Sequence, residues 1–153
     1  MSQGKLLESI SIVRVKLVKE KGAYYSAKTI TNPGDLASVA RRFLDNTDRE
    51  VFLTINFSPV NTINSIHIVS IGSLDRTVVH PREVFKAAIL SNSSSIALIH
   101  SHPSGSLTPS QDDIDITRKL VKCGEILSIK VIDHIILADD QHLSFAERKI
   151  GGL

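Results

Sequence analysis

The chain has 153 residues, a length that fits one domain large enough to bury a hydrophobic core. Hydrophobic residues make up 42% and charged residues 22%, as in an ordinary globular protein, and no apolar run approaches the roughly 20 residues of a membrane span. The first residues interleave apolar side chains with Lys and Arg, which argues against a signal peptide. Cys123 is the only cysteine, which excludes a disulfide framework and a thiolate zinc site and predicts a reducing, cytoplasmic setting.

The net charge of +2 does not by itself indicate a nucleic-acid-binding protein. Near the N-terminus, Arg14 and Lys16 alternate with apolar residues and predict a strand over residues 10–18. Such cations usually protect an exposed edge strand, although the same cluster could face a DNA phosphate backbone. We therefore expect residues 1–30 to form a strand extension that packs on a single domain of residues 31–153.

Helical and strand patterns alternate along the rest of the chain. In order, they predict a helix from Pro33, strands Val51–Phe57 and Ile66–Ile71 joined as a hairpin, a helix Pro81–Leu90, a strand Ile96–Ile99, a helix from about Pro109 to Cys123, and a strand Ile129–Leu137. Thr108 is expected to cap the third helix in a capping box with Gln111, and Gly124 to end it. This alternation predicts an α/β fold, a three-layer α-β-α sandwich around a mixed sheet.

A metal site is predicted at the end of the strand Ile96–Ile99. Side chains alternate along a strand, so His100 and His102 project from the same face. Asp113 lies on the inward face of the following helix, where a carboxylate is costly to bury unless it meets a positive charge. A strand histidine or a first-turn acidic residue alone is more often structural. Together they predict one metal ion held by His100, His102 and Asp113, and three protein ligands are typical of catalytic zinc.

The same segment resembles a known family. The order His-Ser-His, seven residues, Ser110, two residues and Asp113 is the JAMM signature of the JAB/MPN metallopeptidases. The wider run HSHPSGSLTPSQDDIDITRKL, with HPREVFKAAI before it and VIDHIIL and SFAER after it, resembles the RadC branch of that superfamily. The resemblance begins near Glu50 and covers about two-thirds of the chain. It implies a short, stand-alone RadC family protein with the JAB/MPN architecture, which is cytidine-deaminase-like.

The resemblance also implies roles for individual residues. His100, His102 and Asp113 would bind Zn²⁺ with water at the fourth position, and Ser110 would help to stabilise the oxyanion. The family places a catalytic glutamate upstream, which corresponds to Glu50. Glu83 is the alternative base, although a glutamate at a helix start ordinarily serves as a cap or dipole partner.

His134, inside the last predicted strand, is expected to be a hydrogen-bonded core histidine, with a fourth metal ligand as the other option.

Two functions follow as hypotheses. The first is a zinc-dependent metallohydrolase, a peptidase or isopeptidase acting on a peptide or protein through zinc-activated water. The alternative is a DNA-repair or mobile-element-associated accessory protein whose metal site is not catalytic. A zinc nucleobase deaminase is excluded because it needs a Pro-Cys-x-x-Cys pair and the chain has one cysteine. No membrane association is expected, and exposed edge strands would allow a homodimer, although the sequence leaves the oligomeric state open.

Overall fold

The computed structural model describes residues 13–18, 30–44, 48–72 and 79–153. Its helices and strands are, in chain order, α1 (Pro33–Leu44), β1 (Val51–Phe57), β2 (Ile63–Ile71), α2 (Pro81–Leu90), β3 (Ser95–Ser101), α3 (Gln111–Leu127), β4 (Lys130–Ala138), β5 (Gln141–Ser144) and α4 (Phe145–Arg148). The strands form one sheet in the order β2-β1-β3-β4-β5. β3 and β4 are parallel and the other neighbouring strands are antiparallel. The predicted α/β class and mixed sheet are confirmed.

Helices cover both faces of the sheet. On one face, α1 packs through Leu36 and Ala40 on a cluster that includes Ile99 of β3. On the other face, α2 and α3 pack around Leu98 of the same strand and Leu120 of α3. Alternate side chains of β3 therefore enter two separate hydrophobic clusters, which is the arrangement of a three-layer sandwich. β3 is also the central strand of the sheet, and its carboxyl end is where the predicted histidines lie.

The start of α3 differs from the prediction. The helix begins at Gln111 with Ser110 as its N-cap, and the Ser110 hydroxyl and the Asp113 carboxylate form a reciprocal capping box. The expected capping box of Thr108 with Gln111 is wrong. Ser110 is preferred because it pairs with a carboxylate three residues later, whose side chain bonds back to the N-cap backbone.

The end of α3 also differs. The helix continues through Gly124 to Leu127, and Ser128 is the residue that adopts the left-handed conformation, with φ of 56°. Gly124 has a different purpose, because a Cβ atom there would lie only 2.5 Å from the carbonyl oxygen of Ile129. The chain thus turns back tightly over Gly124 before it enters β4, and the predicted role of Gly124 as the terminating residue is wrong.

The N-terminal strand predicted for residues 10–18 is not formed over residues 13–18, which are exposed and have no regular secondary structure. Residues 10–12, and most of the segment 1–30, lie outside the described residues, so the packing of this extension on the domain stays a prediction. None of the helices in the described parts of the chain combines the length and apolarity needed to cross a membrane.

Substitution of Gly124 tests the close approach of the Ile129 backbone to this residue. We expect Gly124→Ala to lower the free energy of unfolding by about 1–3 kcal/mol, because a methyl group would displace the Ile129 backbone. Alanine favours helix more than glycine, so helix propensity alone predicts the opposite sign. Urea denaturation measures the change, with Glu125→Ala on the exposed side of α3 as the control. A more stable Gly124→Ala variant would contradict the expectation.

Candidate metal centre

Three segments bring polar side chains to one edge of the sheet. β1 runs antiparallel to β3 with Phe52 opposite His100, so Glu50, just before β1, reaches the carboxyl end of β3. The Ser101 hydroxyl accepts a hydrogen bond from the Val51 N–H at 2.9 Å, and the Glu50 carbonyl accepts one from the Gly72 N–H at 2.8 Å. The backbone around Glu50 is therefore fixed on both sides.

Four side chains meet at this edge: Glu50, His100, His102 and Asp113. Asp113 Oδ1 lies 2.9 Å from His100 Nδ1, and Asp113 Oδ2 lies 3.6 Å from His102 Nε2. Glu50 Oε2 lies 3.6 Å from His100 Nε2. Glu50, His100 and His102 offer ligand atoms that all lie within 4.8 Å of one another, so this group could hold a metal ion.

The state of the two imidazoles fits a metal ion. His102 Nδ1 lies 2.7 Å from the carbonyl oxygen of Ser106, which can only accept, so Nδ1 carries a proton and donates to it. Nε2 is then the nitrogen left to bind a metal ion, and it faces the Asp113 carboxylate. Both ring nitrogens of His100 are buried without an aligned hydrogen-bond partner. Buried nitrogens of this kind are costly unless something coordinates them, and a metal ion would do so.

Asp113 is the most constrained member of the group. Its Oδ2 accepts hydrogen bonds from the Ser110 N–H at 2.8 Å and the Ser110 hydroxyl at 2.7 Å. Burial acts to raise the pKa of Asp113, but the contacts with His100, His102 and Ser110 outweigh it and hold the pKa well below its usual range. The contact with Asp113 in turn raises the pKa of His102, against the opposing effect of burial. Asp113 is therefore an ionised carboxylate.

The two candidate bases occupy different places. Glu50 lines the cleft beside His100, and its side chain is 34% exposed. Glu83 is exposed in the first turn of α2, pairs with Lys86 on the same helix, and is not among the residues that line the cleft. The Lys86 hydrogen bond lowers the pKa of Glu83, as expected of an exposed ion pair. The structure thus brings Glu50 to the centre and leaves Glu83 outside it.

The centre lies at the bottom of a cleft of about 650 Å³. This volume is within the usual range for ligand sites. One wall carries four hydroxyl groups, from Ser104, Ser106, Thr108 and Ser110. The lining also includes three apolar side chains, Phe52, Val79 and Ile116, and the charged Asp112, Asp115 and Lys119. The loop before α3 therefore presents hydroxyl groups to the cleft, and the rest of the lining mixes apolar and charged side chains.

His134 lies behind the centre and does not line the cleft. It is fully buried, and its Nδ1 lies 2.7 Å from the Thr117 hydroxyl. Burial lowers the pKa of His134 to about 3, so the ring is neutral at ordinary pH. The expectation of a hydrogen-bonded core histidine is confirmed. The sequence pattern does not identify its partner Thr117, although Thr117 follows Asp113 by four residues and shares its helix face.

Known proteins resemble the chain closely. A family model described as the RadC-like JAB domain matches residues 30–150. A UPF0758 protein of Caldanaerobacter subterraneus is 40% identical over 144 residues, which cover 94% of this chain and 60% of that protein. A UPF0758 protein of Desulfitobacterium hafniense is 46% identical over 121 residues, which cover 79% of this chain and 53% of its own length. The matched regions thus span only about half to three-fifths of these relatives. On both counts, the chain belongs to the RadC-like JAB domain family.

Proposed function

We propose that the chain is a zinc-dependent metallohydrolase that cleaves peptide or isopeptide bonds. In this proposal His100, His102 and Asp113 bind zinc, and Glu50 is the general base. The observation that carries it is the meeting of two imidazoles and two carboxylates at the bottom of one cleft. Imidazole and carboxylate are zinc ligands, and a site with three protein ligands leaves a position for the reaction.

The two carboxylates suit different roles. The Asp113 side chain is 6% exposed, is held by Ser110 and lies close to both histidines, which suits it to the role of a ligand. The Glu50 side chain is 34% exposed and lies 3.6 Å from His100, with its ligand atom within 4.8 Å of that of His102. A base must reach both the attacking water and the leaving group, which requires a carboxylate with access to the cleft. These differences support Asp113 as the third ligand and Glu50 as the base.

Bound zinc would acidify water and polarise the scissile carbonyl group. Glu50 would then accept the proton of the attacking water and return it to the departing amine. Ser110 borders the cleft, and its hydroxyl would turn from Asp113 to donate to the oxyanion of the substrate. Asp113 Oδ2 would keep the hydrogen bond from the Ser110 N–H during this turn, so the carboxylate would stay paired.

Zinc content tests the ligand set. We expect about one zinc ion per chain in the wild type, and loss of tight binding in His100→Ala and Asp113→Ala because each removes one of only three ligands. Competition with a chromogenic chelator at neutral pH measures the affinity. His142→Ala is the matched control, because His142 is exposed on β5 outside the cleft. Wild-type protein that takes up no zinc would refute the site. Tight binding in Asp113→Ala with loss in Glu50→Ala would make Glu50 the third ligand.

The substitution Glu50→Gln separates the role of a metal ligand from the role of a general base. We expect Glu50→Gln to keep its zinc but to lose about 10²–10⁴-fold in kcat, since the amide cannot accept the proton. The assay uses a panel of fluorogenic peptides and isopeptide-linked peptides. Glu83→Gln, which changes a glutamate outside the cleft, should keep full activity. Undiminished hydrolysis by Glu50→Gln would show that Glu50 is not the general base. If zinc-loaded wild type hydrolyses neither kind of peptide, the result would count against a peptidase.

The alternative, a DNA-associated accessory protein with a non-catalytic metal site, is supported by the exposure of Arg14 and Lys16. It predicts salt-dependent binding of duplex DNA that survives His100→Ala but weakens in the double variant Arg14→Gln/Lys16→Gln, because phosphate contacts need the cations. Fluorescence anisotropy across a salt series measures it. Binding that is absent at low salt, or unchanged in the double variant, would remove this alternative.

A further inference from the structure

We propose that His134 is a positioning residue for the metal centre, acting through Thr117 on the first turn of α3, which carries Asp113. The inference rests on the proposed function in taking Asp113 as a metal ligand. It concerns a buried side chain that does not line the cleft and whose ring is stacked on that of His100, with 6.3 Å between the centroids. Its role would be to hold a ligand in place.

The hydrogen bonds from His134 to the helix have a fixed direction. The Thr117 hydroxyl donates to the carbonyl oxygen of Asp113, at 2.5 Å. A hydroxyl group has one proton, so towards His134 it must accept. His134 Nδ1 therefore carries the ring proton and donates to Thr117. The result is a directed chain of hydrogen bonds, from His134 through Thr117 to the backbone of Asp113.

Packing on both sides fixes this chain of hydrogen bonds. The His134 ring lies 4.5 Å from the Phe145 ring and 5.6 Å from the Phe52 ring, centroid to centroid. Thr117 is fully buried, and a Cβ atom on Gly151 would lie 2.8 Å from its Cγ2. Both side chains are therefore fully buried and closely packed. The position of the first turn of α3 is therefore tied to β4 by a rigid contact.

A histidine at position 134 is energetically costly, which argues for a role beyond filling space. His134 Nε2 is buried without a partner among the described residues, and leaving such an atom unpaired opposes folding. An aliphatic side chain would fill the position without that cost. What it could not supply is a directed hydrogen bond to the helix that carries Asp113. Second-shell hydrogen bonds of this kind orient metal ligands in other proteins.

The test compares His134→Leu, Thr117→Val and the double variant. We expect each single variant to weaken zinc binding about 10- to 100-fold, measured by chelator competition. The double variant should be no worse than either single one, because both break the same chain of hydrogen bonds. His134→Asn, whose amide N–H can take the place of Nδ1–H, should recover part of the affinity. Additive losses in the double variant, or wild-type affinity in His134→Leu, would overturn the proposal.

A control separates positioning from general stability. Ile55→Ala removes buried volume in the cluster on the opposite face of the sheet, away from α3. It should lower the melting temperature of the metal-free protein while leaving zinc affinity unchanged. If zinc affinity instead falls with melting temperature in every variant alike, His134 is a structural residue only and the proposal is wrong.

A second readout does not depend on metal. Amide hydrogen exchange of metal-free protein should show faster exchange in the first two turns of α3 in His134→Leu, with α1 unaffected. Unchanged exchange in α3 would overturn the proposal even if the wild type binds zinc. Faster exchange in a protein that binds no zinc would show that the contact holds the helix and that the proposed function is what fails.

Discussion

The buried carboxylate of Asp113 is the interaction on which this structure depends. An unpaired carboxylate in such a place would be strongly unfavourable, so the surrounding groups must supply protons or positive charge. One oxygen accepts from Ser110 and completes the cap of α3, and the other faces His100. The same side chain therefore starts a helix and closes the cleft. A change that moves the helix start must also move the metal centre.

The topology of the sheet explains why Glu50, His100 and His102 lie beside Asp113. The antiparallel pairing of β1 with β3 puts the beginning of one strand beside the end of the other, so Glu50 and His100 become neighbours although 50 residues separate them. Beyond β3, the His102 N–H still donates to the Leu137 carbonyl of β4, at 2.7 Å. His102 thus continues the hydrogen bonding of the sheet by one residue before the chain enters the loop. Strand register, set by hydrophobic burial, determines the geometry of the polar cluster.

The sequence predicts local patterns well and tertiary choices less well. Strand alternation places His100 and His102 on one face, and helical phase turns Asp113 inward, because both depend on a few neighbouring residues. The local pattern does not identify the cap of α3, since Thr108 and Ser110 are both good N-caps and only the bond back from Asp113 decides between them. It does not identify the role of Gly124 either, because that role, the approach of Ile129, is a contact and not a backbone angle. The partner of His134 depends on how α3 lies on β4, which local spacing does not encode.

The two halves of the cleft differ in how deeply their side chains are buried, and the division matches the chemistry proposed for them. His100 and Asp113 are buried in regular elements, and His102 has its tautomer set by Ser106, so these groups need little reordering to bind an ion. Glu50 and the hydroxyl-bearing loop face the cleft, where proton transfer and substrate contact need movement. A preorganised ligand set lowers the entropic cost of binding a metal ion, while a partly exposed base can reach two positions in turn. The chain of hydrogen bonds from His134 to Asp113 extends the buried half into the core, and this accounts for a polar side chain in a place that packing alone would give to an aliphatic one.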